Sequence, residues 1–324
     1  MILVIGNCFW VYVVRIVKYR QYVLPEKIYY VIINSERMTS MIQFFDFTGI
    51  ENSQSTIKES WSEFRNILAS GKCKYNETDK AKSYEFLKVF DDLFQNGGKK
   101  HFETTVSSLA HKRIGRGQRL KNDELVTYER FIPKSEFIKA DNRFSPPGVE
   151  WLYLAVGDSI IDVSKKEINI QKGERFGFCD FDFCQNAMSR KIVDLTIADG
   201  LQQDEINNKL ENQAKTVANQ LINESLKTGI IHPKNANKGS IGGGIKKWMI
   251  YTYAKLLSEQ IFVPVQNSNK RFEYTPFQTL AQYFLSLGYS GIIYKSTVYA
   301  GGKNLVLFDK NFAVPTGDII DIIV

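Results

Sequence analysis

Apolar residues recur at helical spacing in the first third of the chain. Ile57, Trp61, Phe64 and Leu68 are separated by four, three and four positions, and Gly71 follows them. Residues at this spacing line one face of a helix, and a glycine just past the last of them commonly ends it. The pattern therefore predicts an amphipathic helix that stops before Gly71.

A second amphipathic helix is predicted directly before Asn96-Gly97-Gly98, which supplies a turn. Its apolar face would consist of Tyr84, Leu87, Phe90, Leu93 and Phe94. We interpret residues 42–105 as a helical accessory region on the basis of these two helices.

Short apolar or alternating runs later in the chain are typical of strands. They are Trp151–Val156, Phe176–Phe183, Ile192–Leu195, Gly291–Lys295 and Asn304–Phe308. Residues 107–150 have weak periodicity and three prolines, so we expect mostly loop there, with short strands. Helices before and between the strands indicate an α+β fold.

Further helices are predicted among these strands. One has a long apolar face and Gly229 beyond its end, and another covers Trp248–Ser258. The long face consists of Ile206, Leu210, Val217, Leu221 and Leu226.

A helix start is also predicted at Thr275-Pro276-Phe277-Gln278. Thr275 would be the cap, Pro276 the first helical residue, and Gln278 the residue that closes a capping box. This helix would stop at Gly288.

Residues 1–41 admit three interpretations. Met1–Val14 is uncharged and mostly apolar, three basic residues follow it, and Ile28–Ile33 is a second apolar run. The first run is shorter than the roughly 20 residues of a membrane helix, and a secretory signal has its charges before the apolar run. An extra strand or helix, a true start at Met38 or Met41, and a membrane anchor stay open.

Composition narrows the class of protein. The chain has 42 Lys and Arg against 35 Asp and Glu, a net charge of +7, and 44% hydrophobic residues. Such a chain buries a core, which excludes wholesale disorder and collagen-like or mucin-like architecture. The mild positive charge favours anionic ligands such as nucleotides or phosphates. Four cysteines are too few for a disulfide framework, so we expect a cytoplasmic protein with reduced thiols.

Several sequence motifs that mark known kinds of functional site are incomplete in this chain. Gly239–Gly244 lacks the Lys and the Ser or Thr that a P-loop has directly after its second framing glycine, so a flexible connector is favoured. Cys179 and Cys184 are five positions apart, which in a strand points them to opposite faces. The histidines have no metal-ligand spacing, and none lies near a serine elbow. We therefore expect no metal and neither a zinc enzyme nor a serine hydrolase.

Two separated segments carry a more specific pattern. The first is Asn142-Arg-Phe-Ser-Pro-Pro-Gly-Val-Glu-Trp-Leu-Tyr-Leu-Ala155, and the second is Phe272-Glu-Tyr-Thr-Pro-Phe-Gln278 with its continuations Gly288–Ser296 and Gly301–Phe308. Together they resemble the RES-domain family, which is named for an Arg, a Glu and a Ser and includes bacterial toxins that degrade NAD. The resemblance covers about residues 106–310 and leaves residues 311–324 as a C-terminal tail.

The resemblance implies an ADP-ribosyltransferase-like core of two small, mostly antiparallel sheets with flanking helices, to which the N-terminal helices are an extension. NAD would be the substrate, and the bond between nicotinamide and ribose would break. The ADP-ribosyl group would pass to inorganic phosphate or water. A helix-turn-helix antitoxin would be the protein partner, with neither nucleic acid nor membrane involved.

On the same resemblance, Arg113, Glu167 and Ser296 match the three residues that give the family its name. Glu167 would stabilise positive charge on the ribose in an oxocarbenium-like transition state, and Glu174 is the fallback. Arg113 would contact the pyrophosphate, since guanidinium groups bind phosphates through paired hydrogen bonds. Ser296 would hydrogen-bond to the ribose or the carboxamide on the nicotinamide side.

Four further residues are expected to bind NAD. Tyr153 would stack on the nicotinamide or reach the ribose, and Arg143 precedes two prolines that would hold it rigidly. Arg116 lies in the same Arg-rich stretch as Arg113. Gln278 could contact the ligand, although helix capping also explains it.

Two other functions remain as alternatives. One is a protein ADP-ribosyltransferase, which differs only in the acceptor. The other is a basic nucleic-acid-binding or degrading protein, suggested by the basic residues between Lys99 and Lys121. Only Phe102 interrupts that run as an aromatic, so stacking platforms for bases are scarce and binding to nucleic acid is not expected.

Overall fold

The computed structural model describes residues 10–13, 30–33, 50–209, 212, 238–258, 262–264 and 270–324. The chain separates into two compact units. The first comprises Met1–Glu59, Val89–Gly98 and Gly200–Tyr253, and the second comprises Ser60–Lys88, Lys99–Asp199 and Ala254–Val324.

Ten strands are described. They are β1 (Trp10–Val13), β2 (Tyr30–Ile33), β3 (Glu103–Thr105), β4 (Ile114–Leu120), β5 (Leu152–Val156), β6 (Arg175–Phe183), β7 (Lys191–Asp194), β8 (Gly291–Lys295), β9 (Lys303–Leu307) and β10 (Ala313–Ile323). β1 and β2 form an antiparallel pair in the first unit. The other eight form one sheet in the second unit, in the order β10-β6-β4-β5-β9-β8-β7-β3. All neighbours in this sheet are antiparallel except β7 and β8.

The sheet narrows to a short junction between β4 and β5. Only two residue pairs join these strands, Ile114 with Val156 and Gly115 with Ala155. Beyond Gly115, β4 remains paired along its whole length with β6 on its other side. The junction thus divides the sheet into a three-stranded and a five-stranded part, and a gap opens between the strands after Gly115.

The helices with assigned bounds are α1 (Ile50–Ala69), α2 (Thr78–Ala81), α3 (Glu85–Leu93), α4 (Lys99–Phe102), α5 (Ile160–Glu167), α6 (Lys238–Leu256) and α7 (Lys270–Ser286). Together with the mixed sheet they confirm the α+β class. None of these helices combines the length and the low charge needed to cross a membrane.

The helical and strand periodicities are largely confirmed. α1 buries Ile57, Trp61, Phe64 and Leu68, and Gly71 follows it with a left-handed φ of 74°. α3 is followed by the turn at 94–98. All five predicted strands are present within one residue of their expected ends. Of the long helix expected to start near Ile206, residues 203–209 are helical, and most of the remainder lies outside the described residues.

Two local predictions are wrong. Gly239–Gly244 is not a connector but part of α6, where burial of Trp248, Met249 and Tyr253 outweighs the weak helix propensity of glycine. α7 starts at Lys270 and not at Thr275, with Pro276 inside the helix.

The early start of α7 has a visible cause. Arg65 of α1 binds Glu273 at 2.7 Å, and its guanidinium carbon lies 4.9 Å from the centre of the Phe272 ring. Thr275 Oγ1 donates to the Arg271 carbonyl at 2.6 Å instead of capping the helix. These contacts hold the extra turn, so the proline forfeits one helical hydrogen bond without ending the helix.

The elements with no counterpart in the expected pattern include α5 and β10. α5 lies where no helix was expected, and the segment described as a C-terminal tail contains β10. β10 pairs with β6 along both strands. Arg175 of β6 binds both carboxylate oxygens of Asp321 in β10, at 2.8 and 2.5 Å, which secures this last strand.

Each face of the sheet has its own core. Phe131, Leu154 and Leu305 belong to one buried cluster, while Ile160 and Val163 of α5 belong to the other. α5 approaches the sheet over Gly117, where an added side chain would meet Ser164 of α5 and Phe176 of β6.

Candidate functional site

Glu167 is the last residue of α5, and the packing of that helix determines where its carboxylate lies. Ile160, Val163 and Ser164 are buried, while Asp162 and Lys166 are exposed. The helix is therefore amphipathic over its two turns, with its buried side against β4 and β5. Its end brings Glu167 to the strands that carry the C-terminal half of the site.

Glu167 accepts two hydrogen bonds through a single oxygen. Ser296 Oγ lies 2.7 Å and Asn304 Nδ2 lies 2.6 Å from Oε1. Ser296 and Asn304 are each only 4% exposed, whereas Glu167 is exposed to solvent. Oε2 accepts no hydrogen bond from the residues that the structure describes. We call Glu167, Ser296 and Asn304 the carboxylate cluster.

Ser296 follows β8 directly, and its hydroxyl is saturated. The oxygen accepts from the backbone N–H of Val298 at 3.3 Å and of Tyr299 at 3.1 Å. A serine hydroxyl has two acceptor positions and one donor, so its hydrogen is left for Glu167. The expectation that Ser296 touches ribose or carboxamide stays a prediction, and the hydrogen bond to Glu167 is the role that this geometry supports.

Tyr153 lies on β5 and is buried at its hydroxyl end. Its hydroxyl shares a hydrogen bond with the fully buried Ser145 at 2.9 Å. Burial raises the pKa of Tyr153 above its usual value, against the opposing effect of the Ser145 bond. The phenol is therefore neutral at physiological pH.

Two more tyrosines lie near the carboxylate cluster. Burial, followed by the negative charge of Glu167, raises the pKa of Tyr294 well above its usual value, and Tyr153 adds to this effect. Burial likewise raises the pKa of Tyr274, with the positive charge of Arg143 opposing it and Glu167 adding to it. These mutual interactions place Tyr153, Tyr274 and Tyr294 in one electrostatic neighbourhood with Glu167.

Arg143 is a buried cation enclosed by aromatic rings. Its Nη2 donates to the Val263 carbonyl and to Thr297 Oγ1, each at 3.2 Å, while its buried Nη1 has no partner among the described residues. Its guanidinium carbon is 5.1 Å from the ring centre of Phe277, 5.3 Å from that of Tyr274 and 5.8 Å from that of Phe262. An N–H without an acceptor on a buried guanidinium destabilises the folded protein, unless a bound ligand accepts a hydrogen bond from it.

Arg116 lies at the first position of β4 beyond the junction with β5. Its Nη1 is also buried without a described partner, while Nε and Nη2 are 3.0 and 3.1 Å from the Gln118 amide oxygen in the amide orientation that satisfies both groups. Burial lowers the pKa of Arg116 to about 10, with repulsion from Arg130 adding to the effect and Tyr153 opposing it. Arg116 is still charged at neutral pH.

Gln278 supports the segment that carries Arg143. It is 2% exposed, and its Nε2 donates to Asp141 Oδ1 at 2.9 Å and to the Asn142 carbonyl at 3.2 Å. These bonds connect α7 to the residues just before Arg143. Gln278 therefore orders a loop and does not close a capping box.

Arg113 and Glu174 are placed elsewhere. Arg113 is 54% exposed at its side chain, and its Nη2 contacts both carboxylate oxygens of Asp180 at 3.0 Å. Glu174 pairs with Arg119 at 3.1 Å. The structure thus brings Glu167 and Ser296 into direct contact, but not Arg113.

Sequence reasoning missed Asn304, Tyr274 and Tyr294. Asn304 directly precedes the apolar run Leu305–Leu307 and follows Lys303, so the sequence gives no specific signal for its role. The two tyrosines look like ordinary core residues in the sequence. Within the described ranges, no three His, Cys, Asp or Glu side chains are grouped as metal ligands.

Comparisons with known proteins locate the family. No curated protein and no solved structure gives a significant match to this sequence. Residues 256–322 match the model of the RES domain, a stretch that contains Ser296, Asn304 and Gln278 but neither Glu167 nor the two buried arginines. The match connects the chain with NAD-related chemistry in general terms. The resemblance to the RES-domain family detected in the residues is therefore confirmed over residues 256–322, which are similar to the RES domain.

Proposed function

We propose that this protein binds NAD and breaks the bond between nicotinamide and ribose. The ADP-ribosyl group then passes to inorganic phosphate or water. The observation that carries the proposal is the Glu167 carboxylate, which is held through Oε1 by Ser296 and Asn304 and keeps Oε2 for a ligand. The family match supports the choice of NAD.

The chemistry requires a negative group beside the ribose. As the C–N bond breaks, its electron pair leaves with nicotinamide and positive charge develops on the sugar, as in glycoside hydrolysis. A carboxylate that is already oriented stabilises this charge without reorganising at the moment of reaction. Oε2 of Glu167 takes that role. An oxygen of phosphate or water then bonds to the same carbon, and the surplus proton goes to solvent.

The pyrophosphate requires positive charge. Arg116 and Arg143 each carry a buried Nη1 without a partner among the described residues. Each arginine interacts electrostatically with a tyrosine near the carboxylate cluster. Arg116 interacts with Tyr153, and Arg143 interacts with Tyr274. Charge-assisted hydrogen bonds to phosphate oxygens would satisfy these nitrogens. We therefore assign the pyrophosphate to Arg116 and Arg143 in place of Arg113.

The neutral tyrosines supply a surface for the rings of the ligand. The charges of Arg143 and Glu167 both act on the Tyr274 hydroxyl. Aromatic side chains stack on flat heterocycles, and their hydroxyls can bond to a ribose. We assign nicotinamide binding to Tyr153 and Tyr274.

Nicotinamide release tests the proposal. Purified protein is incubated with NAD, and nicotinamide is measured by chromatography with phosphate present and absent. We expect release that Glu167→Gln abolishes. Unchanged NAD with phosphate, water and a cell extract all present would refute the proposal.

The product identifies the acceptor. A phosphate acceptor gives ADP-ribose 1-phosphate only when phosphate is added, and water gives free ADP-ribose in either buffer. Labelled protein bands in the extract with labelled NAD would favour a protein acceptor instead.

A toxin role follows if NAD is consumed in the cell. Expression should then stop growth, and Glu167→Gln should restore it. The proposed helix-turn-helix antitoxin would be encoded beside this gene, and its co-expression should protect growth. A chain that depletes NAD in vitro but leaves cellular NAD and growth unchanged would contradict this role.

A further inference from the structure

Asn304 is a buried polar residue that directly precedes the apolar part of its strand. It is the second residue of β9, and Leu305, Val306 and Leu307 after it are completely buried. It lies opposite Ala155 of β5 and Tyr294 of β8 in the sheet. A buried amide in such a strand destabilises the fold unless its polar atoms are bonded. The Asn304 amide is therefore tolerated here because its Nδ2 donates to Glu167.

The bond acts on the orientation of the Glu167 carboxylate. The terminal torsion of a glutamate is broad, so one donor alone leaves the plane of the carboxylate free to turn. Ser296 supplies one donor from the end of β8, and Asn304 supplies the second from β9. Two donors from different strands on the same oxygen fix the plane and determine which oxygen is free.

We infer that Asn304 is a positioning residue that holds the Glu167 carboxylate with Oε2 facing the ligand. The inference rests on the function proposed above. Asn304 itself contacts no ligand. Its effect is on the rate of the chemical step more than on substrate affinity, because misaligned charge stabilises the transition state poorly.

Three substitutions separate positioning from structural support. Asn304→Leu keeps the size and removes the donor. Asn304→Ser shortens the side chain and withdraws the donor without adding bulk. Asn304→Asp keeps the shape but replaces the donor with a second carboxylate. Asn122→Asp, at an exposed loop position, is the control for an added charge.

For the two uncharged variants we expect kcat to fall by about tenfold or more, with KM within about twofold of the wild type.

For Asn304→Asp the pH dependence has a distinct form. Two adjacent carboxylates repel at neutral pH, but at lower pH they share a proton, and the protonated one again donates. Activity relative to the wild type should therefore rise as pH falls from about 8 to about 5. A structural defect alone would give an activity relative to the wild type that does not change with pH. The Asn122→Asp control should have the wild-type activity at every pH in this range.

The outcomes separate the inference from the proposed function. Wild-type protein that leaves NAD intact would refute the proposed function and this inference together. The inference alone would be refuted if the wild-type protein cleaves NAD and two further results are found. The first is that Asn304→Leu or Asn304→Ser keeps the wild-type kcat. The second is that the activity of Asn304→Asp relative to the wild type does not change with pH. If the leucine variant does not fold, the serine and aspartate variants decide.

Discussion

Gly117 of β4 lies directly beneath Ser164 of α5. A Cβ atom added at Gly117 would stand 2.8 Å from the Cβ of Ser164 and 2.7 Å from the Phe176 ring. α5 can approach the sheet this closely only because a glycine is present below it. The same helix ends in Glu167, so this contact determines how far the carboxylate lies from Ser296 and Asn304.

Gly117→Ala should therefore displace α5 and reduce both stability and NAD cleavage. Overpacking of this kind costs about 1–3 kcal/mol, measured as the change in the free energy of unfolding by urea. Gly71→Ala is the control, because Gly71 has a left-handed φ and no atom within 4 Å of an added Cβ. It should lower stability by about 1 kcal/mol and leave kcat unchanged. Equal kcat values for the two variants would contradict the link between this contact and the carboxylate.

Glu167→Gln should reduce NAD cleavage by at least about 100-fold, because the amide retains the shape but loses the charge that stabilises the transition state. The melting temperature should stay close to that of the wild type, since Glu167 is exposed. Glu174→Gln is the matched control, as Glu174 pairs with Arg119 outside the cluster. A larger loss from Glu174→Gln than from Glu167→Gln would mean that the carboxylate has been misassigned.

Arg116→Met should weaken NAD binding and leave stability equal or higher. The lowered pKa of Arg116 shows that its charged form is disfavoured in the folded protein, and this cost applies at every pH below about 10. Methionine removes the buried charge and keeps an apolar stem. We expect KM for NAD to rise about 10- to 100-fold, the value of one or two charge-assisted hydrogen bonds.

Arg113→Met is the paired measurement for Arg116→Met. Arg113 is exposed and bound to Asp180, so its loss should change KM by less than about twofold and stability only slightly. The opposite ranking of the two variants would restore Arg113 as the pyrophosphate ligand and refute the assignment of Arg116.

Much of this fold could be predicted because local patterns agree with the packing. The apolar face of α1 and the runs that became β5, β6 and β8 are continuous in sequence, and each is buried where its period requires. α5 was not predicted because it has only eight residues, half of which are charged. β10 was not predicted because a proline, the turn-forming Gly317 and two aspartates interrupt its apolar residues.

The candidate site was predictable only in part, for a different reason. Glu167 and Ser296 are 129 positions apart, so no local pattern connects them, and the resemblance to a family is what indicates both residues. The choice between Arg113 and Arg116 depends on where β4 separates from β5, which is a property of strand pairing. Asn304 depends on a cross-strand position, and no local pattern specifies its partner.

The C-terminal strand should detach first as the pH falls. Hydrogen bonding to Arg175 lowers the pKa of Asp321 below its usual 3.8, so the folded state stabilises the ionised carboxylate. For a lowered carboxyl pKa, the stabilisation is complete above the unfolded value and is lost as pH falls through the folded value. The contribution of this pair is thus present at neutral pH and disappears below about pH 4.

Asp321→Asn tests this pair. The variant should be less stable at pH 7 by about 1 kcal/mol, because the partly exposed pair is screened by solvent. The difference from the wild type should shrink toward zero below about pH 4, when the wild-type carboxyl is itself protonated. Amide hydrogen exchange across β10 and β6 should report the loss first in β10, which lies at the edge of the sheet. A stability difference that is constant from pH 7 to pH 3 would show that the aspartate acts through packing and not through its charge.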